Sequence, residues 1–131
     1  MKNLVIPTIA STIAMFGISL VWHFIATPIL YPPNSVPSGE PNVLYVILGY
    51  IVFTALMVYL YPKFVGKNKS LLEGFRFGAF MGVLWNVPLV LIFMGVMNYP
   101  ALAAFLDSFW GIIEQGIGGI VIALLYWRKF A

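Results

Sequence analysis

The residues best equipped for chemistry lie in one short stretch, DSFWGIIEQGIGG at 107–119. It places two carboxyl groups, Asp107 and Glu114, a carboxamide, Gln115, and four glycines inside an apolar run. At about 100° per residue in a helix, Asp107, Trp110, Gly111, Glu114 and Gly118 share one stripe about 100° wide. Gln115 falls just beside it. A glutamate at membrane depth costs about 3 kcal/mol on insertion scales, so it belongs at a bundle interior, a cavity or a partner rather than in lipid. Two readings follow. Glu114 is a functional carboxyl that holds a ligand or a proton, or it is a neutral acid hydrogen-bonded to a neighbouring helix. Gly111 and Gly118 flank it and let another helix approach closely.

Other polar groups fall at matching depths. Asn86 lies ten residues beyond Arg76, about 15 Å along a helix. Glu114 lies seven beyond Asp107, about 10 Å. The expected set is Asn86, Glu114 and Gln115 inside, with His23 and Asp107 above them and Trp22, Trp85 and Trp110 lining the space between. These eight are the candidate ligand-binding residues. Each has a structural alternative. His23 beside Trp22 suits an interface, and Asp107 can begin or cap a helix near its positive dipole end. Asn86 can act as interhelical glue. The tryptophans can be packing or belt residues.

Several chemistries are excluded. There is no cysteine, which removes disulfides, thiolate metal sites, cysteine nucleophiles and Cys-ligated clusters. A single histidine cannot supply bis-His haem ligation. No lysine lies within an apolar run, which argues against a Schiff-base chromophore. No Ser–His–Asp spacing, metal triad or phosphate-binding loop is legible. No catalytic residue, metal site or cofactor is assigned, and the residues lean away from an enzyme.

The elements that must position these residues are membrane spans. Of 131 residues, 62% are hydrophobic and 8% charged, and mean hydropathy is +0.98. Soluble domains carry about 25% charged residues, so the expectation is an all-α, polytopic membrane protein. It forms one domain, 1–131, with a four-transmembrane-helix bundle spanning about 4–30, 43–61, 74–97 and 101–127. Each run exceeds or approaches the ~20 residues needed to cross. The first resembles a signal peptide only in position. It is too long and has no A-x-A-like end, so it reads as a retained span. Thr27-Pro28 should begin to break it, and Pro62 should stop the second. The second run offers no polar handle in its middle beyond Thr54 and reads as a packing wall. In the third, Gly74, Gly78, Gly82 and Asn86 recur every four residues, a small-residue ridge for close helix contact. Pro88 should kink it.

The loops give orientation. YPPNSVPSGEP at 31–41 is proline-rich and has Glu40 as its only charge, and KFVGKNKSLLE at 63–73 is basic. With four spans, Lys2, Lys63, Lys67, Lys69, Arg76, Arg128 and Lys129 are all the basic residues and lie on one side. Arg76 reaches that side by snorkelling. The positive-inside rule then gives N-in, C-in. These charges are topology signals and not a nucleic-acid surface.

Leu71-Leu72-x-Gly74, Phe77-Gly78, Pro100 and above all Asp107-x-x-Trp110-Gly111 resemble a family of small bacterial four-helix inner-membrane proteins of unknown function. The resemblance covers roughly the last 60 residues of the chain. In that family the first helix often carries D-x-x-W, where this chain has Ser19-Leu20-Val21-Trp22. The third commonly has Y-D-x-x-N, where this chain has Trp85-Asn86-Val87-Pro88. The resemblance implies four helices and a multi-pass place in the bacterial inner membrane, and it implies no activity. Three functions are consistent with the residues. The first is a binding or accessory protein that holds a lipid-like or other apolar ligand or docks on a larger complex. The second is a small proton-coupled transporter using Glu114 as a homodimer. The third is a membrane enzyme acting on a lipid-like substrate. The expected partners are membrane lipids, an apolar small molecule, and a homo-oligomer or larger membrane complex.

Overall fold

The computed structural model describes residues 4–31, 42–65, 70–97 and 99–130, and the side chains of 127–130 are outside that description. The loop at 32–41, Asn98, and the side chains of Lys2, Lys67, Lys69, Arg128 and Lys129 therefore lie outside the described residues. Four helices follow in order: α1 (Val5–Leu30), α2 (Val43–Phe64), α3 (Leu71–Val96) and α4 (Ala101–Phe130). All four are long and apolar enough to cross a membrane. At 1.5 Å per residue even α2, the shortest, reaches about 33 Å, against a hydrocarbon core of about 30 Å. The chain is a four-helix bundle with the composition of a small integral membrane protein.

Successive helices run antiparallel. Met15 of α1 meets Gly118 of α4, while Trp22, further along α1, meets Trp110, earlier on α4. On α2 and α3, Phe53 meets Trp85 and Tyr61 meets Phe77. The start of α1, the end of α2, the start of α3 and the end of α4 thus share one side.

The closest pair is α3 and α4, and glycines make it so. A Cβ on Gly74 would lie 2.7 Å from the Gly119 carbonyl oxygen, and one on Gly82 would lie 2.8 Å from the Ile112 Cα. A Cβ on Gly78 would collide with the Gln115 carbonyl. The ridge of glycines is therefore a backbone-to-backbone contact, the arrangement that small residues permit in membranes. In contrast, α2 packs chiefly on α1 and touches α3 and α4 through long side chains.

Several element ends differ from the sequence expectation. Pro62 does not stop α2, which continues to Phe64. Proline cannot donate to the carbonyl four residues back, and the freed Val58 carbonyl accepts instead from the Tyr126 hydroxyl at 3.1 Å. α3 begins at Leu71 rather than Gly74. The Ser70 hydroxyl accepts from the Glu73 backbone N–H at 3.1 Å, an N-cap, and Glu73 pairs with Arg76 at 2.9 Å. α1 passes Pro28 and ends at Leu30, where the Tyr31 N–H donates to the Thr27 carbonyl. α4 continues to Phe130 rather than ending at 127.

The bundle has two unlike halves. Near the end that holds both termini, Met15, Met57, Val58, Tyr61, Phe77, Ile122 and Ala123 form a continuous buried core. Met15, Met57, Val58, Ile122 and Ala123 have no exposed surface. Toward the other end the helices enclose space.

Candidate functional site

That space is a cavity of about 410 Å³ bounded by the later part of α1, the early part of α2, the later part of α3 and the early part of α4. Its volume falls within the range of small-molecule sites, about 300–1,000 Å³. The eight residues singled out by type and spacing all lie on its wall. α4 supplies Asp107, Trp110, Glu114 and Gln115; α3 supplies Trp85 and Asn86; α1 supplies Trp22 and His23.

Glu114 is 4% exposed. Its carboxylate accepts from the Tyr50 hydroxyl of α2 at 2.8 Å, and Ser19 of α1 lies within hydrogen-bonding reach of both. The glycines beside it serve two different helices. Gly118 lies under Met15 of α1, and a Cβ on Gly111 would lie 2.6 Å from the Asn86 amide of α3. Glu114 is thus held where α1, α2 and α4 converge, at the end of the cavity nearest the closed core.

Asp107 does not cap α4. The helix begins at Ala101 with no acid in its first turn, and Asp107 lies further in, with its side chain turned to other elements. One oxygen accepts from the Trp22 indole N–H at 2.8 Å. The other accepts from the Tyr31 hydroxyl. The Tyr99 hydroxyl is 2.7 Å from that of Tyr31 and 3.5 Å from Asp107. Burial pushes the Tyr99 phenol above its ordinary range, so it remains a donor. This cluster ties the end of α1 and the α3–α4 turn to α4. Trp22 also stacks on Trp110, centroids 4.7 Å apart and planes 9° apart.

The remaining candidates differ in how firmly they are held. Asn86 donates to the Gly82 carbonyl of its own helix at 2.9 Å, and its amide lies against Gly111 of α4. Trp85 is 50% exposed and leans on Phe53 of α2 with centroids 5.3 Å apart. His23 is exposed and has no hydrogen-bond partner among the described residues. It lies one turn beyond Ser19, about 6 Å along α1. Gln115 is 4% exposed and Ser108 is 8% exposed. The Gln115 Oε1, the Ser108 Oγ and the Trp110 Nε1 are buried without a protein partner among the described residues.

Four residues of the site escape the sequence reading. Tyr50 lies in the stretch of α2 expected to be a bare wall, yet it is the donor to Glu114. Ser19 of α1 sits beside Glu114. Tyr31 and Tyr99 supply the hydroxyls around Asp107. In an apolar sequence a tyrosine reads as hydrophobic or as belt, and its hydroxyl gains meaning only once its partner is known.

No protein-family model matches the chain, and no curated protein and no solved structure matches it either.

Proposed function

We propose that the chain is a membrane binding protein whose cavity holds an apolar or lipid-like molecule bearing a polar end. The observation that carries this reading is the cavity itself. An aromatic wall is combined with a few convergent polar groups, Glu114, Asp107 and Gln115, at fixed positions. Such a combination is the usual composition of a small-molecule site. Buried polar atoms without protein partners are costly to leave unmet, and three lie on the residues of this wall.

Geometry ranks the alternatives. A proton-coupled transporter needs access to Glu114 from both sides of the membrane in turn. Here the side that holds the termini is filled by the Met15–Met57–Ile122 core, so the favoured role is holding rather than passing a ligand. An enzyme using Glu114 with His23 needs the two groups in contact, and Glu114 is instead engaged by Tyr50. The charge distribution supports an N-in, C-in orientation, which places the cavity in the outer leaflet. With the resemblance in the second half of the chain, it also supports the bacterial inner membrane as location. Assembly with a second copy or a larger complex remains part of the same proposal.

Native mass spectrometry of the protein released in mild detergent tests it. A retained small-molecule mass in stoichiometric amount is expected. Bare protein under conditions that preserve bound lipid would contradict the reading.

A further inference from the structure

The ionisable side chains of the cavity wall are mainly acidic. Its two acidic groups are Asp107 and Glu114, while no lysine or arginine among the described residues lies on it. The one basic side chain found there is His23. This contrasts with the chain as a whole, whose formal net charge is +3. The described cations are engaged elsewhere, Lys63 over the Tyr59 ring at 3.8 Å and Arg76 with Glu73. The two carboxyl groups are seven residues apart on one helix, two turns or about 10 Å. Aromatic rings occupy the wall around them: Trp22 with Trp110, Phe53 with Trp85, Tyr50 and Tyr99.

Aromatic faces attract cations, and the attraction strengthens where water is excluded. Carboxyl groups in the same space favour positive charge and oppose an anion. A second observation points to a donor-bearing or cationic guest. The Gln115 Oε1 and the Ser108 Oγ are oxygen acceptors on side chains more than nine-tenths buried, and neither has a protein partner among the described residues.

Resting on the binding reading above, we propose that the cavity takes a lipophilic organic cation, its onium centre between Glu114 and Asp107 and its apolar body against Trp85 and Phe53. The guest enters sideways between α2 and α3. Four lining residues on those two helices are exposed, among them Tyr45 at 72%, Trp85 at 50% and Val46 at 43%; His23 of α1 is exposed beside them. The wall formed by α3 against α4 is sealed by the glycine contacts. A cation that partitions into lipid reaches this opening without crossing the packed half of the bundle.

Three probes with one apolar body separate charge from shape. They are phenethyltrimethylammonium, its uncharged carbon isostere (3,3-dimethylbutyl)benzene, and 2-phenylethanesulfonate. Binding is read by quenching of tryptophan fluorescence and by thermal shift in detergent, at equal mole fraction of probe in the micelle. The ammonium should bind at least tenfold more tightly than the isostere, and the sulfonate should not bind. Glu114→Gln with Asp107→Asn, checked for an intact helical melt, should erase that preference. Should the double variant unfold, Glu114→Gln alone, which keeps a partner for Tyr50, should reduce it severalfold. Equal binding of ammonium and isostere would overturn the cationic ligand and leave the apolar-ligand reading standing. Preference unchanged in a folded variant would also overturn it. Binding of none of the three would overturn both.

Discussion

Glu114 shows how a polar group at membrane depth is made tolerable and what it is then free to do. Burial leaves it 4% exposed, and Tyr50 gives it one strong hydrogen bond across the α2–α4 gap. Replacement by glutamine preserves an acceptor for that hydroxyl, so Glu114→Gln should change stability by about 1 kcal/mol or less. Glu114→Leu removes that acceptor from the Tyr50 hydroxyl, with Ser19 left within its reach, and should cost about 1–3 kcal/mol. Detergent-phase unfolding of the two variants checks this. Equal midpoints would show that the Tyr50–Glu114 bond contributes nothing to the fold. Asp107 should be less forgiving, because it serves Trp22 and Tyr31 directly and lies near Tyr99. Asp107→Leu should lower the midpoint more than Glu114→Leu and should alter the near-ultraviolet circular dichroism of the Trp22–Trp110 stack. An unchanged spectrum would mean that Asp107 does not hold the stack in place.

Among the elements, α3 and α4 make the closest pair, while α2 packs chiefly on α1. Gly78 lies directly against the backbone of α4 at Gln115, so even a methyl group forces the helices apart. Gly78→Ala should destabilise the bundle by about 1–3 kcal/mol, in the range of overpacking. Gly95→Ala is the matched control, since nothing lies within 4 Å of a Cβ there. Loss of stability in both, or in neither, would mean that the ridge is not a helix contact. At the α2 end the Tyr126 hydroxyl takes the carbonyl freed by Pro62. The spacing of apolar residues made four spans legible in the sequence, and the four-residue recurrence of glycine marked α3 for a close helix contact without naming its partner. The fate of Pro62 was not legible, because its compensation comes from a residue more than 60 positions away. The capping pair Ser70 and Glu73 carries a local signature, S-x-x-E, yet it lay hidden inside a segment read as a basic loop.

For the molecule as a whole, eight residues chosen for type and depth lie on one cavity wall. That much was readable because a polar residue in an apolar helix has few places to go. The hydroxyls that engage the wall's two carboxyl groups were not readable. Tyr50, Ser19, Tyr31 and Tyr99 are common residues in membrane helices, and only the fold shows which of their hydroxyls face Asp107 or Glu114. The charge pattern of the sequence predicts the orientation of the bundle, since all seven basic residues flank the ends of the runs that a four-span topology puts on the side of the termini. Cysteines introduced at Ser35 and Asn68 should therefore label from opposite faces of intact cells, Ser35 from outside. Labelling of both from outside would reverse that account. The central claim is that the cavity holds a small molecule, and tryptophan placed on either side of its wall tests it most directly. Gly49 lines the cavity and Gly17 does not, and a Cβ added at either position would meet no neighbouring atom within 4 Å. Native mass spectrometry of the wild type, Gly17→Trp and Gly49→Trp should show the retained mass in the first two and its loss in the third. The same retained mass in all three, or none in the wild type, would contradict it.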